Sequence, residues 1–370
     1  MRKVIYTITI AAIILSGVSC ESTYRPKSIG AMDEILVVMD SSKHESQTAE
    51  AIRNSFGKAI ETVPAYEPLF RLIFTDFRTN DELERLKERK NVIFAAPIDE
   101  DSNVGSFIRA ILSDEVEARV RQEQSFAFPI EDRWVRDQWA LVLTSTSDSS
   151  LASKIESSVD PLVDNLLERE FDRRIEEVYR RGEQTVLNDS LWNRFGWKVR
   201  MQHDYVWTVD TTNVVSFRRV LSDNDRWMWA WWKDNVENID FIDPTWINTT
   251  RDSLMEIYVR GQRENSFVTT EYNRPVKTRK MNLDDSRLTG YETLGTWRMT
   301  NDFMGGPFVN FVYHDPAADR LFMIEYGQFA PSVNKRRFVM QFRAMGRTFE
   351  SDSTWTKFSD EVAGEVREQR

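Results

Sequence analysis

Ile35-Leu36-Val37-Val38-Met39 is a continuous apolar run, five residues long. A run of that length with no polar alternation is the mark of a strand buried on both faces, as in a sheet covered by helices above and below. Working outward from it, residues 42–60 carry Ile52, Phe56 and Ile60 at helical spacing, and Pro64 and Pro68 close the segment. Strands are expected at 69–74 and 92–96, with a charged surface helix at 80–90 between them. Helical segments follow near 107–112 and 114–122, then strands at 125–129 and 139–144. Strand-helix alternation of this kind predicts an α/β layer.

Asp160-Pro161 reads as a helix start, an N-cap followed by proline at the first helical position. The helix is expected to run to about Arg181, with Leu162, Leu166, Phe171, Ile175 and Val178 on one stripe. Glu170–Arg174, Glu176–Arg180 and Glu177–Arg181, each four apart, are read as lacing its outer face. Gly182 is a natural stop, and a domain boundary is placed there.

The second half differs in character. It holds ten of the twelve tryptophans, all but Trp134 and Trp139. Strands are expected at 197–201, 205–209, 214–220, 227–232, 267–272, 291–299, 308–313 and 321–326. A helix begins at Asp243-Pro244 and runs to about Val259, and a last helix spans 333–349 with Phe338, Phe342, Met345 and Phe349 on one side. The expected fold class is α+β: two α/β-layer domains, the second strand-rich with a C-terminal packing helix. The expected domains are 32–182 and 183–350, with a polar tail at 351–370.

The first twenty residues decide location. Arg2 and Lys3 precede an uncharged stretch at 4–15, then Ser16-Gly17-Val18-Ser19 and Cys20, the one cysteine among 370 residues. The stretch falls short of the roughly 20 apolar residues of a membrane span and suits a signal peptide. Small residues before Cys20 resemble a bacterial lipobox, with Gly17 where leucine is usual. The reading is a signal peptide at 1–19, lipidation at Cys20 and a tether at 20–31. Cleavage leaves 351 residues and moves the net charge from -10 to -12. No acidic run follows Cys20, which favours the outer membrane with the protein facing the periplasm.

Composition excludes several classes. With 41% hydrophobic residues and 25 Gly plus Pro, the chain is no disordered or collagen-like polymer. A mean hydropathy of -0.50 excludes a polytopic membrane protein. An acidic chain with no basic cluster argues against a nucleic-acid partner.

Trp297-Arg298-Met299-Thr300-Asn301-Asp302-Phe303-Met304-Gly305-Gly306-Pro307-Phe308 is the most specific block. With Arg320-Leu321, Glu325-Tyr326-Gly327, Ala330-Pro331, Tyr66-Glu67-Pro68-Leu69-Phe70, Asn91-Val92-Ile93-Phe94 and Phe195-Gly196-Trp197, it resembles a family of uncharacterised envelope lipoproteins from Bacteroidota, classed as a domain of unknown function. The resemblance covers residues 30–349 or so and implies a secreted, lipid-anchored protein. It contributes no catalytic residue.

The search for chemistry is therefore direct. His44, His203 and His314 lie in separate segments without metal-ligand spacing, so no metal site is expected. No nucleophile elbow, phosphate loop or dinucleotide fingerprint occurs, and no cofactor is expected. Asp99-x-Asp101-x-Asn103 starts like a calcium loop but has Val104 at the glycine position and Ala110 where a glutamate is needed. Among the carboxylates, Asp302 and Glu325 flank the glycine block and are the candidate pair for hydrolysis.

Two constellations point to binding. Trp227, Trp229 and Trp231 alternate and share a face, a stacking platform for a sugar or aromatic ring if exposed. Met228, Ala230 and Trp232 are apolar too, so the alternative is a strand buried on both sides. The second constellation is the turn at 301–308, where Gly305 and Gly306 permit a backbone forbidden to other residues, with Trp297 and Asn301 beside them. The alternative there is a tight connection that seats Met304 and Phe308 in the core. The expected function is a non-catalytic binding or assembly component of the cell envelope, its partners the membrane through the N-terminal lipid and a glycan or envelope protein. The other reading is an envelope or glycan hydrolase.

Overall fold

The computed structural model describes residues 25–283 and 287–354. Cys20, the signal segment and residues 355–370 of the tail lie outside the described residues. In the first half the elements are β1 (Glu34–Val38), α1 (Gln47–Phe56), β2 (Arg71–Thr75), α2 (Asn80–Lys87), β3 (Asn91–Ala95), α3 (Asn103–Ile111), α4 (Asp114–Arg121), β4 (Ala127–Glu131), β5 (Trp139–Leu143), α5 (Asp148–Ser157) and α6 (Val159–Tyr179). The sheet order is β2-β1-β3-β5-β4, parallel except for β4. The apolar run of β1 is buried on both sides, as its lack of alternation requires. Ile35 and Val37 meet Ile52, Phe56, Ile155 and Leu166, while Leu36 and Val38 meet Leu83, Val104 and Phe107.

The second half contains α7 (Thr185–Phe195), β6 (Trp197–Lys198), β7 (Val206–Asp210), β8 (Val214–Arg219), β9 (Asp225–Asp234), α8 (Pro244–Tyr258), β10 (Val268–Thr270), β11 (Lys277–Lys280), β12 (Thr289–Met299), β13 (Gly305–Asp315), β14 (Arg320–Phe329), α9 (Arg336–Gly346) and β15 (Glu350–Ser351). An antiparallel sheet runs β10-β12-β13-β14-β9-β8-β7, with β11 also on β12. The α+β class, with a helix-covered sheet in each half, is as the sequence pattern requires. α8 covers one face of this sheet and α9 the other.

α9 belongs to both halves. Met340 and Ala344 complete the core over the first sheet, whereas Val339, Phe342 and Met345 complete the core of the second. Its N-terminal backbone amides of Lys335 and Arg336 donate to the Glu67 carboxylate at 2.7 and 2.8 Å, so a residue of the first half caps it. Arg336 then donates both terminal nitrogens to Glu170 of α6 at 2.8 and 2.7 Å. This corrects the reading of Glu170–Arg174 as an outer-face pair. Glu170 is fully buried and shared between Arg174 and Arg336, because α9 lies over that side of α6. Burial alone would raise the Glu170 pKa, but Arg336 and Arg174 outweigh it and hold it below the usual value.

Other boundaries moved for local reasons. α6 starts one residue before Asp160, after Ser158, and a separate α5 precedes it. Only Trp197–Lys198 of the expected 197–201 strand pairs, with β15, and the Asp352 amide donates to Gly196 O at 2.9 Å. Residues 351–353 are thus packed rather than loose. Likewise the end of the expected tether is tied down, with Lys27 bridging Arg136 and Ile29 bridging Arg89. Among the described residues, no helix is long and apolar enough to cross a membrane.

Candidate functional site

Trp227, Trp229 and Trp231 project to the α8 side of β9. α8 is started by Asp243, whose side chain accepts from Trp246 N at 2.7 Å, with Pro244 at its first turn. The helix lies over the row, so Trp229 is only 2% exposed while Trp227 and Trp231 are half-buried. The row is therefore not an open stacking platform. On the opposite face Met228, Ala230 and Trp232 join the α9-side core.

Glu325 does not reach a solvent cleft either. It is fully buried behind α8, where Arg251 donates from Nε and Nη2 at 2.7 and 2.8 Å and Asn310 Nδ2 donates at 3.1 Å. The guanidinium sits 4.0 Å from the Phe308 ring centre. Asp302 lies on the far side of the glycine block, 3.7 Å from Arg263, with Oδ1 accepting from its neighbour Phe303 N. The two carboxylates expected to pair do not meet.

The glycine block is a hairpin. Met299 N donates to Met304 O at 2.9 Å, and Asn301, at φ 56°, takes the left-handed turn position. Gly305 and Gly306 are already strand residues of β13, which corrects their reading as the turn itself. Gly306 is required by close approach: a Cβ there would stand 2.0 Å from Gln328 O and 3.1 Å from Trp297 Nε1, which itself donates to Gln328 O. Phe303, at the tip, is 99% exposed.

These elements enclose an apolar slot of about 240 Å³ between the end of α8 and the sheet. Trp227 and Trp297 form its inner corner, with ring centres 5.1 Å apart at 66°, and Met299, Met304, Phe329 and Tyr258 line it beside them, with Thr208, Ser216 and Arg260 as polar neighbours. The Arg218–Asp225 ion pair stands at its rim. Trp227 Nε1 is buried against Gly327 with no hydrogen-bond partner among the described residues. So the fold brings Trp227 and Trp297 together beside Gly306. It leaves Trp229 and Glu325 beneath, Trp231 further along the strand, and Asn301 and Asp302 outside on the turn. Tyr258 and Phe329 were not singled out from sequence. The available signal was cross-strand register, since Gly327 opposite Trp227 leaves room for its ring.

A larger cavity of about 680 Å³ lies where β1 and β2 begin, against the start of α9. Its carboxylates are already engaged: Glu67 caps α9, Asp33 accepts from Arg71 at 3.1 Å, and Glu177 pairs with Arg174 and Arg337. It is a joint between the halves. The histidines stay apart, with His203 Nε2 3.9 Å from Asp204 and His314 held by Val236 O. Asp99 of the calcium-like loop is bound by Arg121. No group of three or more His, Cys, Asp or Glu able to hold a metal ion occurs among the described residues.

The fold and slot define a two-domain α+β protein with an apolar pocket on its antiparallel sheet. Residues 28–179 match the model of a domain of unknown function (DUF8532), and residues 184–348 match that of a second (DUF4837). No curated protein matches the chain. Among solved structures it is similar to the Ran-binding protein Mog1p of Saccharomyces cerevisiae, at 6% identity and a TM-score of 0.28 over 42% of this chain and 90% of that one. A mutant of the protein Mog1 gives 7% identity and 0.28 over 43% and 92%. Likeness at this level carries no functional argument.

Proposed function

We propose that this is a lipid-anchored envelope protein, facing the periplasm, that acts as a binding or assembly component and takes an apolar side chain of a protein partner into the Trp227–Trp297 slot. The observation that carries the reading is that three residues next or next but one in sequence to the slot's lining are apolar and exposed. Phe303 precedes Met304 of the lining, Ile257 precedes Tyr258, and Val206 lies two residues before Thr208; they are 99%, 61% and 58% exposed. Exposed apolar side chains next to pocket-lining residues favour a protein surface, whereas a sugar platform needs ring faces in the open. The hydrolase reading loses its candidate pair, since Glu325 is fully buried and clamped by Arg251 while Asp302 sits on the turn beside Arg263.

A photo-reactive benzoylphenylalanine at position 303, irradiated in intact cells, should give one discrete protein adduct. The same probe at Val186, 82% exposed on α7, should give none. Adducts at both positions, or at neither, would refute the partner reading. Anchoring is tested separately: Cys20→Ala should move the protein from the membrane fraction to the soluble one. Full retention on membranes would sink the lipoprotein assignment.

A further inference from the structure

On the α9 side of the same sheet, away from the slot, lies a cavity of about 210 Å³. Five arginines from four separate elements or their ends line it: Arg180 and Arg181 after α6, Arg219 on β8, Arg226 on β9 and Arg337 on α9. One carboxylate, Glu177, lines it with them. The chain has no basic cluster in sequence; the fold assembles one.

Arg219 is matched by Asp204 and Arg337 by Glu177. Arg180, Arg181 and Arg226 have no carboxylate within 4.0 Å among the described residues. Arg226 is the decisive one. It is only 3% exposed, its Nε has no partner, and Nη1 has just a 3.4 Å contact to Gln341 Oε1 beside the Phe338 ring. Arginine keeps its proton in proteins, so this is a buried charge without a counter-ion, an arrangement that is strongly unfavourable unless something pairs it. It also stands directly across from Arg219 in the β8–β9 ladder, and like charges in that relation destabilise a sheet. An anion between the two removes both penalties at once.

We propose that this cavity binds a phosphate group, with Arg226 as its buried anchor and Arg180 and Arg181 closing on it from the exposed side. A single carboxylate neutralises one of the three unmatched guanidinium groups, whereas a phosphate carries up to two charges and offers several oxygens to their forks. The volume lies below the roughly 300–1,000 Å³ of sites for drug-sized ligands and suits a small group. The phosphate comes either from a soluble ester or from a lipid headgroup.

The test is calorimetric titration of the full-length protein with inorganic phosphate, against chloride at equal ionic strength. Sedimentation with phosphatidylglycerol vesicles, against phosphatidylcholine vesicles, is the second arm. Wild type should bind one phosphate, Arg226→Gln should weaken binding at least tenfold, and Arg226→Gln without phosphate should melt no lower than wild type. Should Arg226→Gln fail to fold, Arg181→Ala on the exposed side carries the test, with binding weakened severalfold at unchanged Tm. Sedimentation with phosphatidylglycerol that falls in Arg226→Gln assigns the headgroup, and phosphate binding with sedimentation unchanged in Arg226→Gln assigns a soluble ester. Equal phosphate affinity in wild type and both variants, or no binding in either arm, overturns the proposal.

Discussion

Glu292→Ala should destabilise the protein by about 3–5 kcal/mol, the range expected when one partner of a buried ion pair is removed. Glu292 on β12 is fully buried and receives Arg343 at 3.0 and 2.9 Å, Arg347 at 2.7 Å and Arg279 at 2.9 Å. Arg279 retains Asp164 of α6 and some contact with water, but Arg343 is only 4% exposed and would be left charged in the interior. A loss of that size is a large share of the 5–15 kcal/mol that holds an ordinary domain together. Burial alone would raise the Glu292 pKa, yet Arg343, Arg347 and Arg279 outweigh it and hold the carboxyl well below the usual range. A carboxylate with a depressed folded-state pKa contributes its full stability above its unfolded value, about 4.3, and loses it as pH falls toward the folded value. Glu170, lowered by Arg336 and Arg174 against its burial, acts in the same direction. Urea melts should therefore show stability of wild type falling below about pH 4.3, with a weaker fall in Glu292→Ala. A destabilisation under about 1 kcal/mol at pH 7 would mean that water reaches the arginines after all.

Gly306→Ala should cost about 3 kcal/mol, at the upper end of the range for overpacking. The obstacle is a backbone oxygen, Gln328 O, 2.0 Å from the new Cβ, and not the end of a flexible side chain. Two paired strands would have to part, and Trp297 would lose its bond to the same oxygen. Because Trp297 forms the inner corner of the slot, near-ultraviolet dichroism should change along with the urea midpoint. An unchanged spectrum with stability within about 0.5 kcal/mol of wild type would show that the strands can separate freely.

Much of the architecture was legible because it rests on local pattern. The unbroken apolar runs at β1, β3 and β5 announce a two-sided sheet, and Asp243-Pro244 marks the start of α8. What escaped depends on distant chain. Serine-rich α5 has little apolar periodicity, and Glu170 looks like a solvated surface charge until a helix 166 residues later covers it. Gly305 and Gly306 look like a turn until the β12–β13 register is known. Arg226 did carry a local signal, since it shares the alternating face of Met228, Ala230 and Trp232. Placing a charge at the head of such a face asks what it meets there, and only the fold supplies the other arginines.

The shared position of α9 bears on the order of events as the chain is made. The interior over the first sheet lacks Met340 and Ala344 until residue 346 or so has been synthesised, although β1 to α6 were finished long before. Domains usually mature one after another as they emerge. Here the core over the first sheet stays without Met340 and Ala344, and Glu67 and Glu170 stay without their α9 partners, until that helix arrives.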